Sequence, residues 1–348
     1  MLLRGAYVNR AMGTTNRQWE LSSRPTGEPT TENFELIESP IPEPGPKEIL
    51  VRTLYMSVDP YMRGRMRDAE SYAEPWDVGE TMRARVVGEV VESNHSEFDT
   101  GDVVTGNLYW AEYAVADADE LRPVDPDRGP ITTSLGVLGM PGITAYFGLL
   151  DVGEPKPGET VVVSAAAGAV GSVVGQIADM AGCHVVGTAG TDEKVEWLRS
   201  VGFDDAINYN DDDVGAAIRE ACPDGVDVYF DNVGGPVTDA VWPLLNVRAR
   251  VPVCGQISQY NAKSVPEGPR KLWKLIETRS RVEGLLVSDY AGRWDEALEQ
   301  LGEWVRNGDL QYREHVVDGI ENAPEAFLGL FEGSKIGKQL VAVGEPTR

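Results

Sequence analysis

The chain has 348 residues, 42% of them hydrophobic, enough for a large core and of a length that suggests two domains. Fifty-six acidic residues against 31 basic ones give a net charge of −25, a field that repels nucleic acid and anionic membranes and argues against both as partners. No apolar run approaches the ~20 residues of a membrane span, and the cysteines (Cys183, Cys222, Cys254) are odd in number and widely spaced, which suits a disulfide-free protein of the reducing cytoplasm.

The acids are spread along the chain, as in Asp211-Asp212-Asp213, and only eight of the basic residues are lysine. Regular apolar patterning argues against disorder. The charge reads as adaptation to high salt, where screening relieves self-repulsion.

At the N-terminus MLLRGAYVNRAMG lacks the apolar stretch of a signal peptide. Residues 1–11 read as a dispensable extension, with Met12 as an alternative start. Between Phe34 and Leu121 short runs such as EILVRTLYMSV (48–58), ARVVGEVVES (84–93), DVVTGN (102–107) and WAEYAVA (110–116) alternate with Pro/Gly turns. Period-two patterning of this kind predicts an antiparallel barrel or sandwich.

The pattern changes after GMPGITAYFGLL (139–150). Six apolar runs, VVVSA, HVVGTAG, AINY, VDVYFDN, ARVPVCG and RVEGLLV, now alternate with helical segments, as a doubly wound parallel sheet requires. RWDEALEQLGEWVRNGD (293–309) reads as an amphipathic helix ending near Gly308. The last segment, LQYREHVV to GKQLVAV, is strand-like again. The expected organisation is one domain from residues 1–138 and 312–348, interrupted by a second from 139–311.

The first run of the second domain carries a degenerate dinucleotide fingerprint, Ala166-Ala167-Gly168-Ala169-Val170-Gly171. Gly168 and Gly171 stand where the second glycine admits a pyrophosphate and the third lets helix and strand pack closely; Ala166 replaces the tight-turn glycine. A plain strand–helix unit is the alternative, but the place of this turn in a six-strand series favours a dinucleotide on the helix N-terminus. The second run ends in Gly190 rather than the Asp or Glu of an NAD site. Lys194 follows on the first helical turn, where a cation opposes the macrodipole. A 2′-phosphate needs such a charge, so NADP is favoured over NAD, although a solvated lysine is the alternative and Asp192 and Glu193 blur the signal.

Together TNRQWELSSRPTGEPTTENFEL, LYMSVDPYMRGRM, GMPGITAYFGLL, SAAAGAVGSVVGQIA, GTDEKVEWL, YFDNVGG, CGQISQYN and GKQLV cover the chain from about residue 14. It resembles the zinc-independent branch of the medium-chain dehydrogenase/reductases. Within that branch it is most similar to the group of leukotriene 12-hydroxydehydrogenase/prostaglandin reductase, plant alkenal double-bond reductases and bacterial curcumin-reductase-like enzymes. The resemblance implies a GroES-like β-barrel domain with a Rossmann domain. It also implies NADPH-dependent reduction of the C=C bond of α,β-unsaturated ketones and aldehydes, and a homodimer joined through the Rossmann sheet edge at RVEGLLV.

Residue by residue, the resemblance places Gly168, Ala169, Val170 and Gly171 along the pyrophosphate. Lys194 would hold the 2′-phosphate, and Tyr209 would lie near the adenine ribose. Asn232 falls near the cofactor. Cys254, Gly255, Ile257, Ser258 and Tyr260, with Leu285, Leu286 and Val287, would flank the nicotinamide half. Bland alternatives stand beside some of these: Asn232 as a turn residue, Cys254 as a buried small hydrophobe, Leu285–Val287 as core. Two positions depart from the family. Lys335 stands where relatives often carry Asn near the cofactor, and Arg85 stands where plant members carry a substrate-side tyrosine.

A catalytic zinc needs about three Cys, His or acidic ligands in one cleft. YMSVDPYMRG, where zinc-dependent relatives place a cysteine, has no Cys or His, and His95, His184 and His315 are scattered. GxSxG is absent. Carbonyl polarisation therefore falls to hydrogen-bond donors, with Tyr260 the first candidate for stabilising the developing enolate and Tyr55, an aromatic within a strand, the second. A quinone oxidoreductase and a non-catalytic NADPH-binding regulator remain as alternatives.

Overall fold

The fold is seen in a computed structural model that describes residues 14–346; the expected extension and Met12 lie outside the described residues. Its central feature is a six-stranded parallel sheet. The strands are β1 (Thr160–Val163), β2 (His184–Ala189), β3 (Asp205–Asn208), β4 (Val226–Phe230), β5 (Leu245–Val253) and β6 (Arg281–Gly284), in the order β3-β2-β1-β4-β5-β6. Chain order reverses between β1 and β4, and in such sheets ligands bind at that switch point, beyond the carboxyl ends of the strands.

Burial explains why the first run forms a strand. Val161, Val162 and Val163 are fully buried, and β-branched side chains suit a strand covered on both faces. Helix α1 (Gly171–Met180) follows, with Val173, Val174, Ile177 and Ala178 buried as their spacing predicts. A Cβ on Gly175 would come within 1.9 Å of Phe203, so α1 packs closely only because that position is bare. Helix α2 (Asp192–Ser200) is capped by the Thr191 side chain, and α3 (Val214–Ala221) by Asp213. Helix α4 (Gly235–Val241) leads into β5.

Two features differ from the sequence reading. Pairing in the sixth run stops at Gly284, so Leu285–Val287 leave the sheet. A short helix, α5 (Trp273–Thr278), precedes β6 where no helix was expected. Leu272, Trp273 and Ile276 there are 70%, 66% and 63% exposed, beside a β6 whose four residues are all exposed. The amphipathic helix α6 (Trp294–Asn307) ends at Gly308 in the left-handed region, as expected.

The second large sheet has seven strands, with 314–318, 338–342, 48–57, 83–93, 103–109 and 122–123 in sequence across it and 113–117 pairing with 48–57. All its pairs are antiparallel except that between 314–318 and 338–342. The strand-like end of the chain thus joins strands from its beginning. Thr15–Leu21 and Phe34–Pro40 form a separate two-stranded sheet.

The two halves meet where the returning chain crosses the glycine-rich turn. The Gly337 N–H donates to the Ala167 carbonyl at 2.8 Å. Next to it the Lys338 ammonium, 3% exposed as a residue, donates to Asp59 Oδ1 and to the carbonyls of Val58 and Gln339, each at 3.0 Å. Among the described residues no helix is long and apolar enough to cross a membrane.

Candidate cofactor and active site

The turn after β1 is tighter than its sequence suggests. The residue in the left-handed region is Ala165 (φ +47°), one position before the alanine expected to replace the tight-turn glycine. Gly171 has the close approach foreseen for it: a Cβ there would lie 2.5 Å from the Ala165 carbonyl oxygen and 2.8 Å from Ala166 Cα. Gly168 is roomier, with its nearest neighbour at 3.2 Å. No side chain caps α1, whose N-cap is Val170, so its first amides face the end of the sheet without a protein side-chain partner. Gly168, Ala169 and Val170 are half-buried around this helix start, an arrangement that fits a phosphate group.

Lys194 is no solvated lysine. It is 8% exposed, and its Nζ donates to the Gly333 carbonyl at 2.7 Å, with burial lowering its pKa. Beside it, Gly190 is approached by the Tyr209 phenol so closely that a Cβ would sit 2.7 Å from the hydroxyl. Lys335 lies between Gly333 and Gly337, so the returning segment carries a second ammonium past the glycine-rich turn. Burial first, then Lys338 and, less strongly, Lys194, bring Lys335 down to about 7, against the opposing pull of Asp59.

Across the switch point, β4 runs into a buried carboxylate that sequence reasoning missed. Asp231 is 1% exposed. Its Oδ1 accepts from the Tyr229 hydroxyl at 3.0 Å, Ser164 Oγ at 3.2 Å, and the Val233 and Gly234 amides at 2.9 and 2.8 Å. Its Oδ2 accepts from Thr238 Oγ1 at 2.8 Å and Gln256 Nε2 at 3.1 Å. The only sequence signal was an acid at the end of an apolar central strand. Asn232 is tied across the crevice, its N–H to Ser164 Oγ at 2.9 Å and its Nδ2 to the Ser164 carbonyl at 2.8 Å. Gly234 and Gly235 take positive φ (+70° and +58°), and a Cβ on either would strike Gln256 or Ser258.

The segment 254–260 wraps over this strand end. The Cys254 and Gly255 amides donate to the Asp231 carbonyl, the Ile257 amide to that of Asn232, and both Ser258 donors to that of Val233. The wrap delivers the half-buried Tyr260, whose hydroxyl accepts the Gln256 N–H at 3.3 Å and lies 3.2 Å from where a Gly255 Cβ would be. Burial, more than Cys254 and Asp231, raises its pKa against the effect of that N–H. The Cys254 thiol is pushed to about 12 by burial and then Asp231, and it packs with the sheet core.

Two further phenols stand close by, unanticipated in the sequence. Tyr72 is raised to about 12 by partial desolvation, then by Tyr260 and Cys254. Tyr61 is raised by burial and by Asp59. Arg85 is half-buried with its guanidinium 5.4 Å from the Trp294 ring centre, and desolvation lowers its pKa. Tyr55 sits elsewhere, packed with Val87, Leu135 and Leu340 in a small core that contains neither Tyr260 nor Tyr72. Leu285 and Val287 pack with the sheet core, the Leu285 amide donates to the Val253 carbonyl, and the Leu286 carbonyl accepts from Asp289. Among the described residues no group of three His, Cys, Asp or Glu side chains could hold a metal ion.

Known proteins share this architecture. Residues 17–124 match the family model for the N-terminal domain of oxidoreductases, and residues 169–303 match that described as zinc-binding dehydrogenase. The chain is 48% identical to the NADPH-dependent curcumin reductase of Escherichia coli, covering 94% of this chain and 97% of that protein. It is 44% identical to the NADP(+)-dependent 2-alkenal reductase of Nicotiana tabacum, covering 94% and 98%. The crystal structure of CurA from Vibrio vulnificus in complex with NADPH is similar at 47% identity and a TM-score of 0.91, over 95% of this chain and 100% of that one.

Removing the Asp231 carboxylate strands at least three buried donors. In urea denaturation Asp231→Ala is expected to lose at least about 3 kcal/mol, and Asp231→Asn less, because an amide oxygen keeps some of the bonds. A loss below about 1 kcal/mol for Asp231→Ala would mean that water replaces the carboxylate.

Proposed function

The chain belongs to the zinc-independent branch of the medium-chain dehydrogenase/reductase family, and on that premise we propose that it uses NADPH to reduce the C=C bond of α,β-unsaturated ketones and aldehydes. The observation that carries this reading is the Tyr260 phenol, held on the Gln256 N–H beside the carboxyl ends of β4 and β5, with β4 the neighbour of the strand that runs into the glycine-rich turn.

When bound, NADPH supplies the hydride. The backbone from Gly168 to Gly171 would lie along its pyrophosphate at the start of α1, the Gly168 N–H itself being donated to the Ala165 carbonyl. Lys194 donates one hydrogen to Gly333 and keeps two for the 2′-phosphate. Lys335, brought down to about 7, is only about half charged at neutral pH, and a neighbouring phosphate would favour its charged form, while Tyr209 would cover the adenosine end beside Gly190. Asn232, the backbone of Cys254, Gly255, Ile257 and Ser258, and Leu285–Val287 shape the nicotinamide half.

Tyr260 acts on the substrate. Its oxygen accepts the Gln256 N–H, which leaves its own O–H free to donate to the substrate carbonyl. Burial raises the phenol's pKa, so it remains protonated at neutral pH. As hydride reaches the β-carbon, charge gathers on the carbonyl oxygen, and the aligned O–H stabilises that oxyanion more than the ground-state carbonyl.

The exposed β6 edge, flanked by Leu272, Trp273 and Ile276, supports a homodimer formed by two such edges. The free cysteines support a reducing, cytoplasmic setting, and the charge of −25 supports assay in concentrated salt.

Tyr260→Phe is expected to lower kcat about 10- to 100-fold on a conjugated ketone, with NADPH affinity by fluorescence titration unchanged; an unaltered kcat removes Tyr260 from catalysis. Lys194→Ala should weaken NADPH binding by about 10- to 100-fold in calorimetry and leave NADH binding as it was. Light scattering after gel filtration should give a dimer for the native chain and a monomer for the Trp273→Glu/Ile276→Glu double variant. A native monomer would refute the edge pairing.

A further inference from the structure

The end of β2 is where a sheet of this kind tells NADP from NAD, and two exposed acids, Asp192 and Asp211, stand around it. Either carboxylate, turned toward Lys194, would repel a 2′-phosphate or take a ribose hydroxyl in its place. Among the described residues neither acid forms an ion pair. Their charges meet an amide instead.

Asn208, the last residue of β3 and 7% exposed, spends both hydrogens of its side chain on these acids. Its Nδ2 donates to Asp192 Oδ1 at 2.9 Å and to Asp211 Oδ2 at 2.6 Å, while its Oδ1 accepts the Asn210 N–H at 3.2 Å. The amide is anchored, because this strand end is fastened to β2. Asn208 pairs with Ala189, the Tyr209 N–H donates to the Ala189 carbonyl at 3.0 Å, and Asn210 Nδ2 donates to the Gly190 carbonyl at 2.8 Å. Asp192 opens α2 two residues before Lys194, whose ammonium keeps two hydrogens beyond the one given to Gly333. Burial lowers the pKa of Lys194, and the opposing pull comes from Glu193; Asp192 is tied off toward β3.

Local structure explains part of this. The bond to Asn208 Oδ1 is an Asx turn, and an acid at the start of α2 complements the helix dipole. Neither accounts for one buried amide nitrogen that draws two like charges together, an arrangement that costs energy by itself. We propose that Asn208 sets cofactor choice together with Lys194, by drawing the Asp192 and Asp211 carboxylates out of the 2′-phosphate subsite. Asn208 is then a positioning residue that acts through the two acids and touches no ligand. The inference rests on the NADPH reading.

The test measures the Kd of NADPH and of NADH by calorimetry and takes their ratio as the preference for NADPH. In the native chain NADPH is expected to bind more tightly. Asn208→Ala should lower the preference about tenfold or more, mainly by weakening NADPH. Adding Asp192→Asn and Asp211→Asn to that variant should restore the preference, since a freed amide carries no charge. The same two acid substitutions made with Asn208 in place should change it by less than about twofold. Equal weakening of both cofactors in Asn208→Ala, or no recovery on neutralising the acids, reduces Asn208 to a structural residue and overturns the proposal. A tenfold rise in NADPH preference when the acids are neutralised beside native Asn208 would show carboxylates already facing the subsite. That outcome overturns the proposal without recourse to the buried variant. A native chain that binds NADPH no better than NADH overturns the NADPH reading and the role of Asn208 with it; a native preference that survives Asn208→Ala overturns the role alone.

Discussion

One backbone crossing sets the site. Gly337 passes the turn after β1 closely enough to donate its N–H to the Ala167 carbonyl. It can do so only without a side chain: its φ is +75°, and a Cβ would lie 1.9 Å from the Arg313 carbonyl oxygen. Four residues upstream, the same pass brings the Gly333 carbonyl onto Lys194. One residue downstream, it places Lys338 on Asp59 and Val58, just before the stretch that carries Tyr61 and Arg63. A shift of this segment would therefore disturb the phosphate end and the phenol side together.

Asp231 is the matching constraint across the switch point. A buried carboxylate is costly unless it is saturated with donors, and this one accepts six hydrogen bonds from five elements of local structure. Those donors need a charged acceptor with two oxygens, which no neutral side chain of similar size supplies. The return is geometric. The Gly234–Gly235 turn, Ser164 and Gln256 are fixed around one point, and Gln256 is the residue whose amide supports the Tyr260 hydroxyl. Tyr260 is thus held indirectly by a group that has no need to touch substrate.

Much of this was legible in the sequence where a residue's own chemistry dictates its role. The valines of β1 and the spacing of Val173, Val174 and Ile177 announce a buried strand and a packed helix, and Gly171 announces a close approach. What was hidden depends on partners distant in the chain. Lys194 stands out in the sequence as a cation at a helix start, but nothing local shows that the Gly333 carbonyl, 139 residues later, takes its ammonium and helps to bury it. Asp231 gains its meaning from Ser164 and Gln256. Tyr72 lies in an irregular stretch without periodicity, and helix α5 is too short to carry an amphipathic signal. Even the fingerprint misplaced its strain by one residue, because an alanine can hold the left-handed turn at Ala165.

The charges resolve into two scales. Over the whole surface a net charge of −25 opposes the approach of any anion, including a cofactor that carries phosphates. Inside the groove the sign is reversed, with Lys194, Lys335, Arg63, Arg67 and Arg85 gathered around the crossing and the tyrosines. Salt acts differently on the two. The screening length falls from about 10 Å at 0.1 M to about 3 Å at 1 M. Concentrated salt therefore removes most of the long-range repulsion and spares contacts made within hydrogen-bond distance in a partly dehydrated cleft.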